Sequence, residues 1–245
     1  MPVVTKGYFC RRSGIDEASE QRHHIVTAID FLGSLHSDTK RDYLGRVTER
    51  DKAECAELAK RWDRDYWDGD RATGYGGMRY DGRWRPVAEK MAAHYGIKPG
   101  HRILDVGCGK GFLLYEFTQA VPGVEVTGLD ISDYAIDHAK EEVKPALNQG
   151  HARKLPFEDA SFDFVVSITT LHNLYLFDLM DALREIERVG RGGKYVAVET
   201  YRNEREKMNL LYWQLTCESF FTPEEWQWVF GRAGYSGDHG FITFE

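Results

Sequence analysis

The chain has 245 residues, of which 42% are hydrophobic and 29% are charged, a composition typical of one globular domain with or without an appendage. Its net charge of −7 and its pI of about 5.8 argue against a general affinity for nucleic acid or for an anionic membrane surface. No apolar run is long enough to cross a bilayer and no secretory signal begins the sequence, so we expect a cytoplasmic protein without membrane partners.

The cysteines and histidines are scattered rather than grouped. The four cysteines, Cys10, Cys55, Cys108 and Cys217, form no CxxC pair, and no HExxH motif occurs. This distribution is typical of reduced thiols in a cytosolic protein, and we predict neither a disulfide framework nor a metal site.

The first 84 residues contain two different kinds of sequence. Residues 1–65 are polar, with helices predicted at 16–36 and 50–64, and we interpret them as a helical N-terminal extension. Residues 66–84, YWDGDRATGYGGMRYDGRW, hold five aromatic residues and five glycines and match neither the helical nor the strand period.

From residue 85 to residue 245 the sequence alternates between helical and strand patterns. Strands are predicted at 102–107, 124–130, 162–168, 193–200 and 241–245, and helices at 85–96, 111–120, 132–143, 178–190 and 222–234. Such alternation indicates right-handed crossovers and an α/β domain with a mostly parallel sheet flanked by helices. Ligands bind such sheets at the carboxyl ends of the strands.

The chemistry-bearing motif is ILDVGCGKG, in which a buried strand is followed by Gly107, Gly109 and Gly111 at alternate positions. The next strand ends in GLDIS, where Asp130 could accept both hydroxyl groups of a ribose. A dinucleotide fingerprint is GxGxxG, whereas the spacing here is GxGxG, which argues against NAD(P).

At these residues the sequence resembles the class I S-adenosylmethionine (SAM) dependent methyltransferases, and in particular the ubiquinone/menaquinone-type small-molecule subgroup. The segments PGHRILDVGCGKG, VTGLDIS, GHARKLPFEDASFDFVVS and LHNL occur in the order of that family. The resemblance covers residues 85–200 well, 222–237 loosely and 1–65 not at all. It implies a Rossmann-like methyltransferase fold for residues 85–245.

The resemblance implies SAM as cofactor and S-adenosylhomocysteine as product. Asp130 would hold the ribose, and Ile131 would pack on the adenine. His151 stands where the family usually has an acid for the adenine amino group, which leaves His151 itself or the backbone of Ala152 to make that contact. The residues implied to lie beside the methionine part are Asp105, Gly107, Cys108, Gly109 and Ile168.

Residues 66–84 are interpreted as a lid over the cofactor, because glycines permit a hinge and aromatic faces attract a sulfonium cation. Tyr75, Tyr80, Arg83 and Trp84 are the predicted cofactor contacts. The alternative is a loop whose rings anchor the N-terminal helices on the core, as expected of Tyr66 and Trp67.

Two residues are candidates for catalysis at the acceptor side. His172 follows the third clear strand, and we expect it near the mouth of the pocket as a general base or as an orienting group. Glu199 ends the next strand and could act as a base, bind an amine, or be an exposed strand-end carboxylate. Residues 206–221 are rich in aromatic side chains and would wall the acceptor pocket or complete the core.

The sequence therefore favours a SAM-dependent methyltransferase that acts on an oxygen or nitrogen of a small-molecule acceptor. Three alternatives stay open: protein methylation, a SAM-binding subunit without catalysis, and aminopropyl transfer. Only eleven residues follow Gly234, so the closing strands of the sheet are short or one is missing, and a homodimer stays open.

Overall fold

A computed structural model describes residues 28–36 and 41–245. Most of the helix predicted at 16–36, together with Cys10, lies outside these residues. The helix predicted at 50–64 is shorter than expected, because Trp62 has a left-handed backbone with φ of 55° that no regular helix contains. The chain forms α3 (Lys52–Ala59) and then one turn, α4 (Arg64–Trp67).

From residue 85 onwards helices and strands alternate as predicted, but a strand at 147–149 and a helix at 204–213 were not predicted, and the last strand lies at 238–242 rather than 241–245. The helices are α1 (Gly33–His36), α2 (Gly45–Thr48), α5 (Arg85–Tyr95), α6 (Phe112–Ala120), α7 (Asp133–Asp137), α8 (Leu176–Val189), α9 (Glu204–Trp213) and α10 (Pro223–Ala233). The strands are β1 (Arg102–Val106), β2 (Glu125–Asp130), β3 (Leu147–Gln149), β4 (Phe162–Ile168), β5 (Gly190–Glu199) and β6 (Asp238–Ile242). Among the described residues, no helix is both long and apolar enough for a membrane span.

The six strands form one parallel sheet in the order β3-β2-β1-β4-β5-β6. This arrangement confirms the predicted Rossmann-like α/β fold. The strand order reverses between β1 and β4, so the loops after these two strands border a crevice at the carboxyl edge. A single closing strand, β6, pairs with β5, and Ala28 bridges to His239 on its outer side.

Helices cover both faces of the sheet. On one face, α8 buries the predicted stripe of Leu179, Ala182, Leu183, Ile186 and Val189. On the other face, α5 and α6 pack against β1 and β4 in a separate core. The central strands β1 and β4 are almost wholly buried because both of their faces are covered, which fixes their ends beside the site.

Helix α10 begins with the predicted capping box. The Thr222 side chain accepts from the Glu225 N–H at 3.3 Å, and the Glu225 carboxylate accepts from the Thr222 N–H at 2.7 Å. We expect Thr222→Ala to lower the free energy of unfolding by about 1 kcal/mol, measured by urea denaturation. Thr222→Ser, which keeps the hydroxyl, should cost less; equal losses would contradict the capping role.

Candidate active site

The loop after β1 has the backbone that the glycine motif predicts. Gly107, Gly109 and Gly111 have φ of 83°, 52° and 72°, values that favour glycine. A Cβ on Gly107 would lie 2.0 Å from the Thr170 hydroxyl oxygen. The turn is fixed to β2 because the Gly107 N–H donates to the Leu129 carbonyl at 2.7 Å.

Asp130 lies at the end of β2, beside this loop. Its two carboxylate oxygens accept from the Gly109 N–H at 2.7 Å and from the Ser132 N–H at 2.8 Å. Burial raises the pKa of Asp130, and these backbone hydrogen bonds act in the opposite direction. Each oxygen of a carboxylate has a second lone pair, so Asp130 can still accept from two hydroxyl groups of a ligand.

A first cavity of about 360 Å³ opens over this region. The predicted cofactor residues that line it are Tyr75, Gly107, Asp130, Ile131, His151, Ala152 and Ile168. Ile131 is 45% exposed although it is aliphatic, which leaves its side chain free to cover a flat apolar ligand.

An acid lies close to His151, at the position where the sequence shows a departure from the family. Asp178 comes from the first turn of α8 and lines the same cavity. Its Oδ2 lies 4.0 Å from His151 Nε2, and its Oδ1 lies 3.3 Å from Arg153 Nη1. The cavity therefore contains a carboxylate that could accept a hydrogen bond from an amino group of a ligand. This carboxylate comes from α8 and not from the segment around His151.

Residues 66–84 lie against the glycine loop. The Trp67 indole N–H donates to Ser132 Oγ at 2.9 Å, and a Cβ on Gly109 would lie 2.9 Å from the Trp67 ring. Lys110 Nζ donates to both carboxylate oxygens of Asp68 at 2.7 Å and to the Met78 carbonyl at 2.9 Å. Lys110 thereby joins the glycine loop to two points of residues 66–84, Asp68 and Met78. We call the Lys110–Asp68 pair the latch.

A second cavity of about 400 Å³ adjoins the first. The predicted residues Arg83, Trp84, His172 and Glu199 line it, and Arg83 is paired with Asp81. The segment at 206–221 also contributes to its wall. The contributing residues are Trp213, Gln214, Leu215 and Thr216.

The two cavities share one wall. It is formed by Tyr66, Tyr75, Ile168, Thr169, Asn173 and Thr216. Thr169 has φ of 54°, a strained value for a β-branched residue, and its N–H donates to the Ala197 carbonyl at 3.0 Å. Backbone strain of this kind persists where the surrounding structure enforces it, and it is concentrated at functional sites.

His172 and Glu199 form a buried pair at the floor of the second cavity. His172 is 2% exposed, so it lies beneath the cavity rather than at its mouth, and burial lowers its pKa to about 3. Its Nδ1 accepts from the Glu199 N–H at 3.3 Å, which assigns the ring proton to Nε2, and Nε2 lies 3.4 Å from Glu199 Oε2.

The Glu199 carboxyl has an unusual environment. Burial raises its pKa to about 8, while a hydrogen bond from Gln214 and the charge of Arg41 act in the opposite direction. Its Oε2 has no hydrogen-bond partner among the described residues. Glu199 is thus a buried carboxyl group with one oxygen unpaired among the described residues, and it is not an exposed strand-end carboxylate.

Residues 104–198 match the family model described as a methyltransferase domain. This part of the chain is therefore similar to that family. Demethylmenaquinone methyltransferases of Staphylococcus aureus strains JH9 and Newman are 33% identical over an alignment of 160 residues that covers 60% of this chain. The chain spans 64% of the length of these relatives. The relatives and the family match confirm the resemblance to class I methyltransferases of the quinone-related subgroup.

A similar solved structure is a complex between the Haloferax volcanii Trm112 methyltransferase activator and a candidate methyltransferase. The similarity has a TM-score of 0.52 at 25% identity, and covers 62% of this chain and 67% of that one. The fold of this chain is thus similar to that of this solved protein.

Four of the predicted cofactor residues line neither cavity: Tyr80, Asp105, Cys108 and Gly109. Tyr80 donates to Glu116 at 2.6 Å and so points away from the glycine loop. Trp67 covers Gly109, and Cys108 is buried with its sulfur against Gly128. Asp105 is also buried, and its pKa is raised to about 8 by burial and then by the charge of Asp130.

Several residues that line the two cavities or lie beside them gave no recognisable signal in the sequence. Asp178 resembles an ordinary acid in the first turn of a helix, and Lys110 resembles a solvated loop lysine. The available signal for Lys110 was its position within the glycine motif, because a charged residue beside a buried turn is unusual. Three arginines of the second cavity, Arg41, Arg46 and Arg71, come from a part of the chain that the family resemblance does not cover.

Proposed function

We propose that this protein transfers a methyl group from SAM to a small-molecule acceptor. The adenosine of SAM would occupy the first cavity, and the acceptor would occupy the second. The observation that carries the proposal is the shared wall, since a methyl group passing between two ligands must cross where their cavities adjoin. The similarity to methyltransferases supports it.

The residues of the first cavity suit adenosine. Asp130 has two lone pairs available for ribose hydroxyls, and Ile131 offers an exposed aliphatic face for the adenine ring. Asp178 could accept from the exocyclic amine. A cofactor that carries positive charge would favour the ionised forms of the buried Asp105 and Asp130 carboxyls, whose pKa values are raised by burial.

When bound, SAM supplies an electrophilic methyl group on a sulfonium centre. The protein then has to align the acceptor with that group and exclude water. Tyr66 and Tyr75 stand in the shared wall with ring centroids 5.2 Å apart, and their faces would stabilise the cation. The latch holds the segment that carries both rings against the glycine loop.

Glu199 is proposed as the group that removes a proton from the acceptor, where the acceptor has one to lose. A base works best with a pKa near the working pH, and that of Glu199 is about 8. His172 is proposed as a positioning residue. Its protonated Nε2 lies beside the Glu199 carboxyl, and its Nδ1 already accepts a hydrogen bond from the Glu199 backbone N–H. A cavity of about 400 Å³ suits a small molecule rather than a protein chain.

The cofactor is tested by calorimetric titration with S-adenosylhomocysteine. We expect micromolar binding by the wild-type protein and binding about 10- to 100-fold weaker in Asp130→Asn, because a hydrogen bond to a charged group contributes about 1.5–3 kcal/mol. The matched control is Asp133→Asn, an exposed acid three residues later, which should bind like the wild type.

Thermal melting would establish that Asp130→Asn is folded. Absence of binding by the wild-type protein would refute the cofactor assignment. Unchanged binding in folded Asp130→Asn would refute the role of Asp130 while leaving the cofactor in place.

A further inference from the structure

Three arginines surround one tryptophan in the second cavity. The guanidinium carbons of Arg41, Arg46 and Arg71 lie 5.8, 5.2 and 5.4 Å from the centre of the Trp213 ring. Arg41 also lies 4.8 Å from the Phe244 ring. All five side chains line this cavity, so the guanidinium groups and the rings face the same space.

Like charges gathered in this way repel one another. None of the three arginines forms an ion pair with a carboxylate in the described part of the chain. Burial and then the charge of Arg71 lower the pKa of Arg46. Burial and then the charge of Arg46 lower the pKa of Lys52 to about 8. The protein as a whole has a net charge of −7, so this concentration of positive charge is local.

Helix capping explains only part of this cluster. Arg46 Nε donates to the Trp213 carbonyl at 3.2 Å and Lys52 Nζ to the Tyr212 carbonyl at 3.0 Å, at the end of α9 where carbonyls need donors. Arg71 instead donates to the Tyr75 carbonyl at 2.8 Å. Arg41 Nε is buried and has no partner among the described residues. A guanidinium has five N–H donors, so much of the cluster's donor capacity faces the cavity.

We propose that Arg41, Arg46 and Arg71 bind an anionic group, a carboxylate or a phosphate, on the methyl acceptor. Guanidinium groups pair with both anions through two parallel hydrogen bonds, and Trp213 would pack against the adjoining part of the molecule. Naming this molecule as the acceptor rests on the proposed function.

The location of the cluster agrees with an acceptor. Arg41 is near enough to Glu199 for its charge to lower the pKa of that carboxyl. An anion held by the arginines would therefore place the remainder of the molecule between Glu199 and the shared wall. The competing source of a carboxylate is the methionine part of SAM itself, and the experiment separates the two.

The test compares an anion with its neutral analogue. The probes are inorganic phosphate, 4-hydroxybenzoate and the uncharged 4-hydroxybenzamide, titrated calorimetrically into the protein with and without S-adenosylhomocysteine. We expect at least one of the anions to bind, 4-hydroxybenzamide to bind about tenfold more weakly than 4-hydroxybenzoate or not at all, and high salt to weaken the anion.

Variants assign the binding to the cluster. Arg41→Gln removes a charge that makes no hydrogen bond to a described residue, and it should weaken anion binding about fivefold or more while leaving the affinity for S-adenosylhomocysteine unchanged. The control is Arg184→Gln, an exposed arginine of α8, which should change neither affinity. Arg46→Gln provides a second loss of charge within the cluster.

Failure of both anions to bind would overturn the proposal, as would measurable and equal binding of 4-hydroxybenzoate and 4-hydroxybenzamide. A loss of S-adenosylhomocysteine affinity in Arg41→Gln equal to the loss for the anion would also overturn it, by assigning the cluster to the cofactor. Because the anions are titrated without cofactor as well, a protein that binds the anion but no S-adenosylhomocysteine would fail only as a methyltransferase.

Discussion

Replacing Glu199 with glutamine is expected to lower the rate of methyl transfer to a hydroxyl or amine acceptor by about 100-fold or more, the usual range for loss of a general base. The substitution keeps the size of the side chain and an acceptor for Gln214. In the wild type the rate should rise with pH and level off above pH 8, since the pKa of Glu199 is about 8. In Glu199→Gln the residual rate should not follow that rise.

Initial rates from pH 6 to pH 10 at saturating SAM would measure both effects. Binding of S-adenosylhomocysteine by Glu199→Gln serves as the control, and it should match the wild type because the residue lies at the floor of the second cavity. An unchanged rate and pH profile would show that Glu199 is not the base.

The same carboxyl gives a stability prediction that needs no acceptor. Its pKa is higher in the folded protein than the ordinary value of 4.5, so the folded state holds the proton more tightly. Its contribution to stability is fully present below about pH 4.5 and is lost as the pH rises to about 8. Asp105, with a pKa raised to about 8, acts in the same direction.

Glu199→Gln should therefore be more stable relative to the wild type at pH 8 than at pH 5. The slope for one group is at most about 1.4 kcal/mol per pH unit. Urea unfolding at both pH values would measure it, with exposed Asp133→Asn as a control that should show no such trend. A difference between Glu199→Gln and the wild type that is independent of pH would contradict the raised pKa.

The sequence predicts the fold well where local signals and the tertiary structure agree. The glycine turn, the strand ending in Asp130 and the capping box of α10 all follow from short-range patterns. The helix predicted at 132–143 ends early, at Asp137, because the Lys140 N–H donates to the Lys110 carbonyl at 3.0 Å rather than continuing the helix. A contact between residues so far apart in sequence leaves no periodic trace.

The candidate site is predicted less completely, because its walls come from distant parts of the chain. The proposed adenosine side depends on motifs at strand ends, and most of its predicted residues line the first cavity. The proposed acceptor side combines Arg41, Arg46 and Arg71 with Trp213, which single-sequence patterns cannot bring together. The surroundings of Glu199 come from Gln214, Trp226 and His172, and no motif records them.

The latch makes the strongest prediction for residues 66–84. Lys110 is 5% exposed, and its charge is matched by Asp68. Burial acts to raise the pKa of Asp68, but the hydrogen bonds from Lys110 and Tyr134, the charge of Lys110 and the Met78 N–H together outweigh it and lower that pKa. Asp68→Ala would leave a buried ammonium with only the Met78 carbonyl, and we expect it to reduce the free energy of unfolding by about 3–5 kcal/mol.

Asp181→Ala, which removes an exposed ion pair with Arg184, should cost at most about 1 kcal/mol, and urea unfolding of both variants would compare them. The double variant Asp68→Ala/Lys110→Met removes both charges and should recover part of the loss, which distinguishes an unpaired charge from lost packing. If residues 66–84 serve as a lid, the double variant should also weaken S-adenosylhomocysteine binding, because Trp67 and Tyr75 would no longer be held over the glycine loop. If residues 66–84 only anchor the N-terminal helices, the double variant will be less stable than the wild type but will bind S-adenosylhomocysteine with the affinity of the wild type.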